Sequence, residues 1–135
     1  MREENVILII EDDEPIRDSL KEILEQEGYK VFTACNGSDG LAILKEVPHP
    51  CLILLDLFMP VMSGPEFLKA IQTEEAQAVT DLPIVVLSAS PPEGATALAV
   101  KPITRGFIKK PLDLDEFLMT VERFCPISPI HARKK

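Results

Sequence analysis

The chain has 135 residues, of which 46% are hydrophobic, and a formal net charge of −8. This length suits one domain with a buried core, and the negative charge argues against a surface that binds nucleic acid directly. No apolar run approaches the roughly 20 residues of a membrane span, and Met1 to Glu4 lack the pattern of a signal peptide. We therefore expect a cytoplasmic protein without membrane insertion.

The cysteines are odd in number and widely spaced, at Cys35, Cys51 and Cys125. This spacing favours reduced thiols in the cytosol over a disulfide framework or a zinc site. Cys35 and Cys51 lie in apolar runs that indicate strands, so we predict that they pack in the core.

Apolar runs alternate with amphipathic segments along the whole chain. Short apolar runs without alternation are typical of strands buried on both faces, and apolar residues every three or four positions predict helices. We predict strands over residues 5–10, 29–35, 51–56, 83–87 and 107–109. We predict helices over about residues 15–27, 37–47, 65–73, 93–100 and 113–125. This order indicates an α/β fold, a doubly wound parallel sheet with right-handed crossovers.

Polar residues stand at or just beyond four strand ends, namely Glu11 with Asp12, Asp56, Ser88 and Lys110. In open parallel sheets, ligands bind at this edge. Clustered carboxylates repel one another and attract a cation, and oxygen ligands without histidine or cysteine favour Mg²⁺. A lysine and a hydroxyl would bind phosphoryl oxygens. The pattern predicts a site for an acyl phosphate. Each residue also has a structural alternative, such as a turn at Ser88.

The motifs, in this order, resemble the receiver domain of two-component response regulators from about Asn5 to Phe124. The resemblance rests on Glu11 and Asp12 with Arg17 beyond them, Asp56 before Pro60 and Gly64, Ser88 before Ala89, and Phe107 before Lys110 and Pro111. We interpret Arg17 as a surface residue of the first helix, and Asp13 and Glu14 as helix-capping residues.

The resemblance implies a flavodoxin-like fold with five strands in the order 2-1-3-4-5. It implies that Asp56 is the phosphoacceptor for a histidine kinase or a histidine phosphotransfer protein. Asp12 would bind Mg²⁺ (or Mn²⁺) directly, Glu11 mainly through water, and Phe58 through its backbone carbonyl. Asp56 would complete this metal site.

The resemblance also implies the parts of a conformational switch. Lys110 would bind the phosphoryl group, and its bond to Pro111 would be cis. Ser88 would be the switch hydroxyl, where threonine is commoner, and Phe107 the switch aromatic. An unknown downstream protein would respond, and a homodimer could form through the face of the fourth helix, fifth strand and fifth helix.

We predict a receiver domain over residues 1–125, followed by a basic tail over residues 126–135 that we expect to be flexible. Such a module is not an enzyme, beyond catalysing its own phosphorylation and slow dephosphorylation. Two alternatives remain open: a scaffold that binds partners without phosphorylation, and a phosphohydrolase of the haloacid dehalogenase type. The second needs an acid two residues after the nucleophile, where this chain has Phe58.

Overall fold

The computed structural model describes residues 3–47, 49–59, 61–73 and 82–126. The predictions that concern Pro60 and the tail beyond residue 126 lie outside the described residues. Within the described part, no helix has the length and apolar character needed to cross a bilayer.

The strands form one parallel sheet in the order β2-β1-β3-β4-β5. They are β1 (Glu3–Ile10), β2 (Lys30–Ala34), β3 (Pro50–Asp56), β4 (Ile84–Ser88) and β5 (Gly106–Lys109). The central strand β3 is buried at every position, which explains its unbroken apolar sequence. The predicted fold class and strand order are confirmed.

A helix follows each strand along the chain. The helices are α1 (Glu14–Gln26), α2 (Gly37–Glu46), α3 (Gly64–Thr73), α4 (Gly94–Val100) and α5 (Leu114–Phe124). Asp13 caps α1 as predicted, because its side chain accepts a 3.0 Å hydrogen bond from the Ile16 N–H. Asn36 and Asp113 cap α2 and α5 in the same way.

Two hydrophobic clusters cover the two faces of the sheet. One contains Leu24 of α1 and Phe117 of α5, and the other contains Leu44 of α2 and Phe67 of α3. Alternate side chains of β3 enter each cluster, with Leu52 and Leu54 on the first side. The helices therefore hold the sheet from both sides and leave its carboxyl edge for the polar residues.

The prediction of three reduced cysteines is wrong for two of them. Cys51 at the start of β3 and Cys125 after α5 form a disulfide, with their Cα atoms 5.6 Å apart. Both residues are buried in the same cluster, because α5 packs across the sheet near the beginning of β3. The remaining thiol, Cys35, is exposed. Its predicted core position is also wrong, because β2 ends one residue earlier, at Ala34.

Candidate functional site

The carboxyl edge of the sheet brings the predicted site residues together. Asp56 and Ser88 are the last residues of β3 and β4, and Lys110 directly follows β5. Glu11 and Asp12 directly follow β1, the other neighbour of β3. Because all the strands are parallel and adjacent in this order, their ends meet around Asp56.

Three carboxylates form a cluster at this edge. One oxygen from each of Glu11, Asp12 and Asp56 lies within 4.8 Å of the other two. Glu11 and Asp56 are buried, and Asp12 is exposed. Oxygen ligands with an exposed carboxylate among them suit Mg²⁺, which keeps several water ligands. The residues present therefore fit the metal that the sequence predicted.

Lys110 supplies a positive charge inside this cluster. Its Nζ donates a 2.7 Å hydrogen bond to Glu11 Oε1 and lies 3.6 Å from Asp56 Oδ1. Burial alone lowers the pKa of Lys110, but the hydrogen bond and the charge of Glu11, together with the charge of Asp56, raise it above its ordinary value. The lysine is therefore held in its protonated form.

The pKa of the Asp56 carboxyl group is shifted by its surroundings. Burial, followed by the negative charge of Glu11, raises the pKa of Asp56 to about 7, although the charge of Lys110 opposes this. The cluster carries more negative charge than Lys110 alone neutralises. A divalent cation would relieve this repulsion and return Asp56 to its charged form.

Ser88 is buried, and its Oγ is the one buried side-chain polar atom of the described residues that has no hydrogen-bond partner. A buried hydroxyl without a partner carries a desolvation cost. Phe107 on the neighbouring strand pairs with Val86 and is half-buried against the α3 side of the core. Ser88 therefore lies at the end of β4, and Phe107 lies beside the middle of that strand.

The loop from β3 to α3 approaches Asp56 closely. The Phe58 N–H lies 3.5 Å from Asp56 Oδ1, while its side chain is 64% exposed. The Gly64 N–H donates to the Leu57 carbonyl at 2.9 Å. A Cβ on Gly64 would lie 2.7 Å from the Leu57 Cα and 2.8 Å from the Asp56 carbonyl oxygen, so only glycine fits there.

The sequence interpretation missed Arg17. The prediction of a surface residue is wrong, because the Arg17 side chain is partly buried and its Nη1 donates a 3.0 Å hydrogen bond to the Glu11 backbone carbonyl. The Asp13 N–H in turn donates to Glu11 Oε2 at 3.1 Å. Arg17 therefore fixes the loop that carries Glu11 and Asp12. Its position in the first turn of α1 is not a distinguishing signal in the sequence, because an exposed residue there has the same pattern.

A model of the family described as the response regulator receiver domain matches residues 7–122. The chain belongs to this family. The match covers the whole sheet except the beginning of β1, and includes every predicted site residue. The cis peptide bond predicted for receiver domains is present between Lys110 and Pro111.

Curated relatives and solved structures resemble this receiver domain over most of its length. It is 33% identical to the transcriptional regulatory protein CrdR of Helicobacter pylori, over 92% of this chain and 56% of the relative. It is 34% identical to the uncharacterized transcriptional regulatory protein YkoG of Bacillus subtilis, over 88% of this chain and 50% of the relative. The chain thus spans about half the length of these relatives.

Among solved structures, the Vibrio cholerae chemotaxis protein CheY4 is similar with a TM-score of 0.78 and 28% identity. The similarity covers 90% of this chain and 99% of that one. A CheY-like receiver domain protein from Methanospirillum hungatei is similar with a TM-score of 0.79 and 25% identity, over 91% and 95% of the two chains. Both likenesses support the flavodoxin-like fold.

Proposed function

We propose that this receiver domain is a phosphorylation-switched signalling module and that Asp56 is its phosphoacceptor. One observation carries the proposal: Asp56 is a buried carboxylate at the end of the central strand, flanked by a lysine ammonium and by two further acids. A histidine kinase or a histidine phosphotransfer protein would donate the phosphoryl group.

In this reaction an Asp56 carboxylate oxygen forms a bond to phosphorus, and the bond from phosphorus to the donor's imidazole nitrogen breaks. The Lys110 ammonium would give up its hydrogen bond to Glu11 and bind a phosphoryl oxygen instead. Glu11, Asp12, Asp56 and the Phe58 carbonyl would hold Mg²⁺ or Mn²⁺. When bound, the metal would offset the charge of the phosphoryl oxygens.

Ser88 and Phe107 would convert phosphorylation into a change of shape. The unpartnered Ser88 hydroxyl gains a hydrogen-bond acceptor when a phosphoryl oxygen comes within reach. Movement of Ser88 toward Asp56 would open space beside β4, and the half-buried Phe107 ring would turn into it. The surface of α4, β5 and α5 would then change.

The output of the switch would pass through another protein. A downstream partner, or a homodimer through α4, β5 and α5, would recognise the changed surface. We propose that residues 1–125 form the signalling unit. The module would act in the cytoplasm without binding nucleic acid itself, and would catalyse only its own phosphorylation and dephosphorylation.

The test is binding of beryllofluoride, a phosphoryl mimic, together with Mg²⁺. We expect wild type to bind both and to become more stable to urea, and Asp56→Asn to show no response. Asp13→Asn is the matched control, because this neighbouring exposed acid keeps its capping ability as asparagine. Full binding by Asp56→Asn would remove Asp56 as the phosphoacceptor. Absence of binding by wild type would favour the scaffold that acts without phosphorylation.

A further inference from the structure

An open groove of about 550 Å³ lies between α3 and α4. Pro65 and Lys69 line it from α3, and Leu98 and Ala99 line it from α4. The Leu98 side chain is 79% exposed although it is a large hydrophobic group. None of the groove residues belongs to the acidic cluster, so the proposed phosphorylation chemistry does not account for them.

The α4 side of the groove carries no charge. The helix sequence from Gly94 to Val100 contains only small or apolar residues and one threonine. Ala95, Leu98 and Ala99 are exposed to solvent. Two copies of a chain with a net charge of −8 repel each other over most of their surface. This repulsion opposes contact least where the surface carries no charge.

The α3 side carries one charge of each sign. Glu66 and Lys69 both line the groove and are exposed, three residues apart on the same helix. Glu66 accepts a hydrogen bond from the Ser63 N–H through Oε1. Among the described residues, Lys69 has no ion-pair partner. The groove therefore combines an exposed apolar side chain, Leu98, with a concave surface and two opposite charges.

We propose that the α3–α4 groove binds the same groove of a second copy of this chain. A two-fold axis brings one patch against itself, so that each residue i that contacts j is matched by a j that contacts i. Leu98 of each copy would enter the groove of the other, and Lys69 of each copy would pair with Glu66 of the other. A groove with one charge of each sign is complementary to itself.

Sedimentation equilibrium of the full chain tests the proposal without any phosphodonor, so the result does not depend on phosphorylation at Asp56. We expect wild type to form dimers with a dissociation constant below about 1 mM, which is the weak end of specific association. Leu98→Asp and Lys69→Glu should each weaken the dimer at least tenfold. Met119→Asp is the control, because Met119 on α5 is also 71% exposed but lies outside the groove.

A charge exchange separates pairing from misfolding. Lys69→Glu gives a copy with two acids in the groove, and Glu66→Lys gives a copy with two bases, so each variant alone should be monomeric. An equimolar mixture should recover the dimer, because opposite charges then face each other across the axis. Circular dichroism would check that both variants are folded.

Three outcomes would overturn the proposal. The first is a wild-type protein that remains monomeric over the whole concentration range. The second is a dimer that survives Leu98→Asp and Lys69→Glu, or is lost on Met119→Asp instead, which would place the contact on α4, β5 and α5. The third is a mixture of folded charge variants that stays monomeric.

Discussion

Lys110 Nζ donates a 2.7 Å hydrogen bond to Glu11 Oε1, joining residues that are 99 positions apart in the sequence. Glu11 is fully buried and Lys110 is largely buried. The lysine is therefore the positive charge that makes burial of this carboxylate tolerable. The contact also joins the first strand of the chain to the last.

Replacing Lys110 by methionine should destabilise the metal-free protein by about 3 kcal/mol, because Glu11 would remain buried without a positive charge beside it. Urea denaturation would measure the loss, and Mg²⁺ should restore part of it by binding the folded state. The control is Lys21→Met, which breaks the exposed 2.9 Å pair with Glu25 and should cost at most about 0.5 kcal/mol. Equal losses in the two variants would contradict a buried counter-charge.

Replacing Ser88 by alanine should have opposite effects on the two states of the switch. The unphosphorylated protein should gain about 1 kcal/mol in its free energy of unfolding, because a buried hydroxyl without a partner is removed. The further stabilisation by beryllofluoride and Mg²⁺ should become smaller than in wild type. Urea denaturation with and without the mimic measures both effects. An unchanged response to the mimic would remove Ser88 from the switch.

Val61 has a backbone φ of 69°, a conformation that is unfavourable for a β-branched residue, and its side chain is 81% exposed. Val61→Gly should therefore raise the free energy of unfolding by about 1 kcal/mol, since glycine adopts this φ freely and little packing is lost. Val61→Ala is the control, because alanine keeps a Cβ and should change stability less. A glycine variant less stable than the alanine variant would contradict the positive φ.

Tyr29, the only tyrosine of the chain, donates a buried 2.6 Å hydrogen bond to the Cys125 backbone carbonyl. Burial, followed by the charges of Glu122 and Glu27, raises the pKa of Tyr29 to about 12 from an ordinary value of 10.0. Folding therefore favours the neutral phenol. This contribution to stability is complete below pH 10 and should be lost as the pH rises from 10 toward 12.

The ultraviolet absorbance of tyrosinate would follow Tyr29 alone. We expect its midpoint near pH 12 in the folded protein and near 10 in urea. Tyr29→Phe should cost about 1 kcal/mol at neutral pH, because the Cys125 carbonyl loses its donor. The variant should also lose less stability than wild type above pH 10. A folded-state midpoint at the unfolded value would show that the phenol is not buried beside Glu122 and Glu27.

The strand ends were predictable because each apolar run stops at a polar residue, as at Asp56 and Ser88. Parallel strands then bring these residues to one edge without any knowledge of side-chain contacts. The acid cluster followed from the same reasoning. The prediction that it binds Mg²⁺ and an acyl phosphate followed from the chemistry of its side chains, whereas the role of each residue came from the family resemblance, and both remain proposals.

Arg17 and the cysteine pair could not be predicted in the same way. The Arg17 contact depends on how the first turn of α1 lies over a loop, and an exposed position on the helix has the same sequence pattern. Cys51 and Cys125 are separated by 74 positions, and their pairing depends on where the end of α5 packs. The spacing of apolar residues in the local sequence does not indicate either contact.

The disulfide divides the chain into a closed ring and an open arm. The ring runs from Cys51 to Cys125 and includes Asp56, Ser88 and Lys110, whereas Glu11 and Asp12 belong to the open arm. By loop-closure entropy, such a ring stabilises the folded state by about 4 kcal/mol when oxidised. Completion of the acidic cluster therefore requires the arm to dock on the ring, and the Lys110 to Glu11 contact is formed only by that docking.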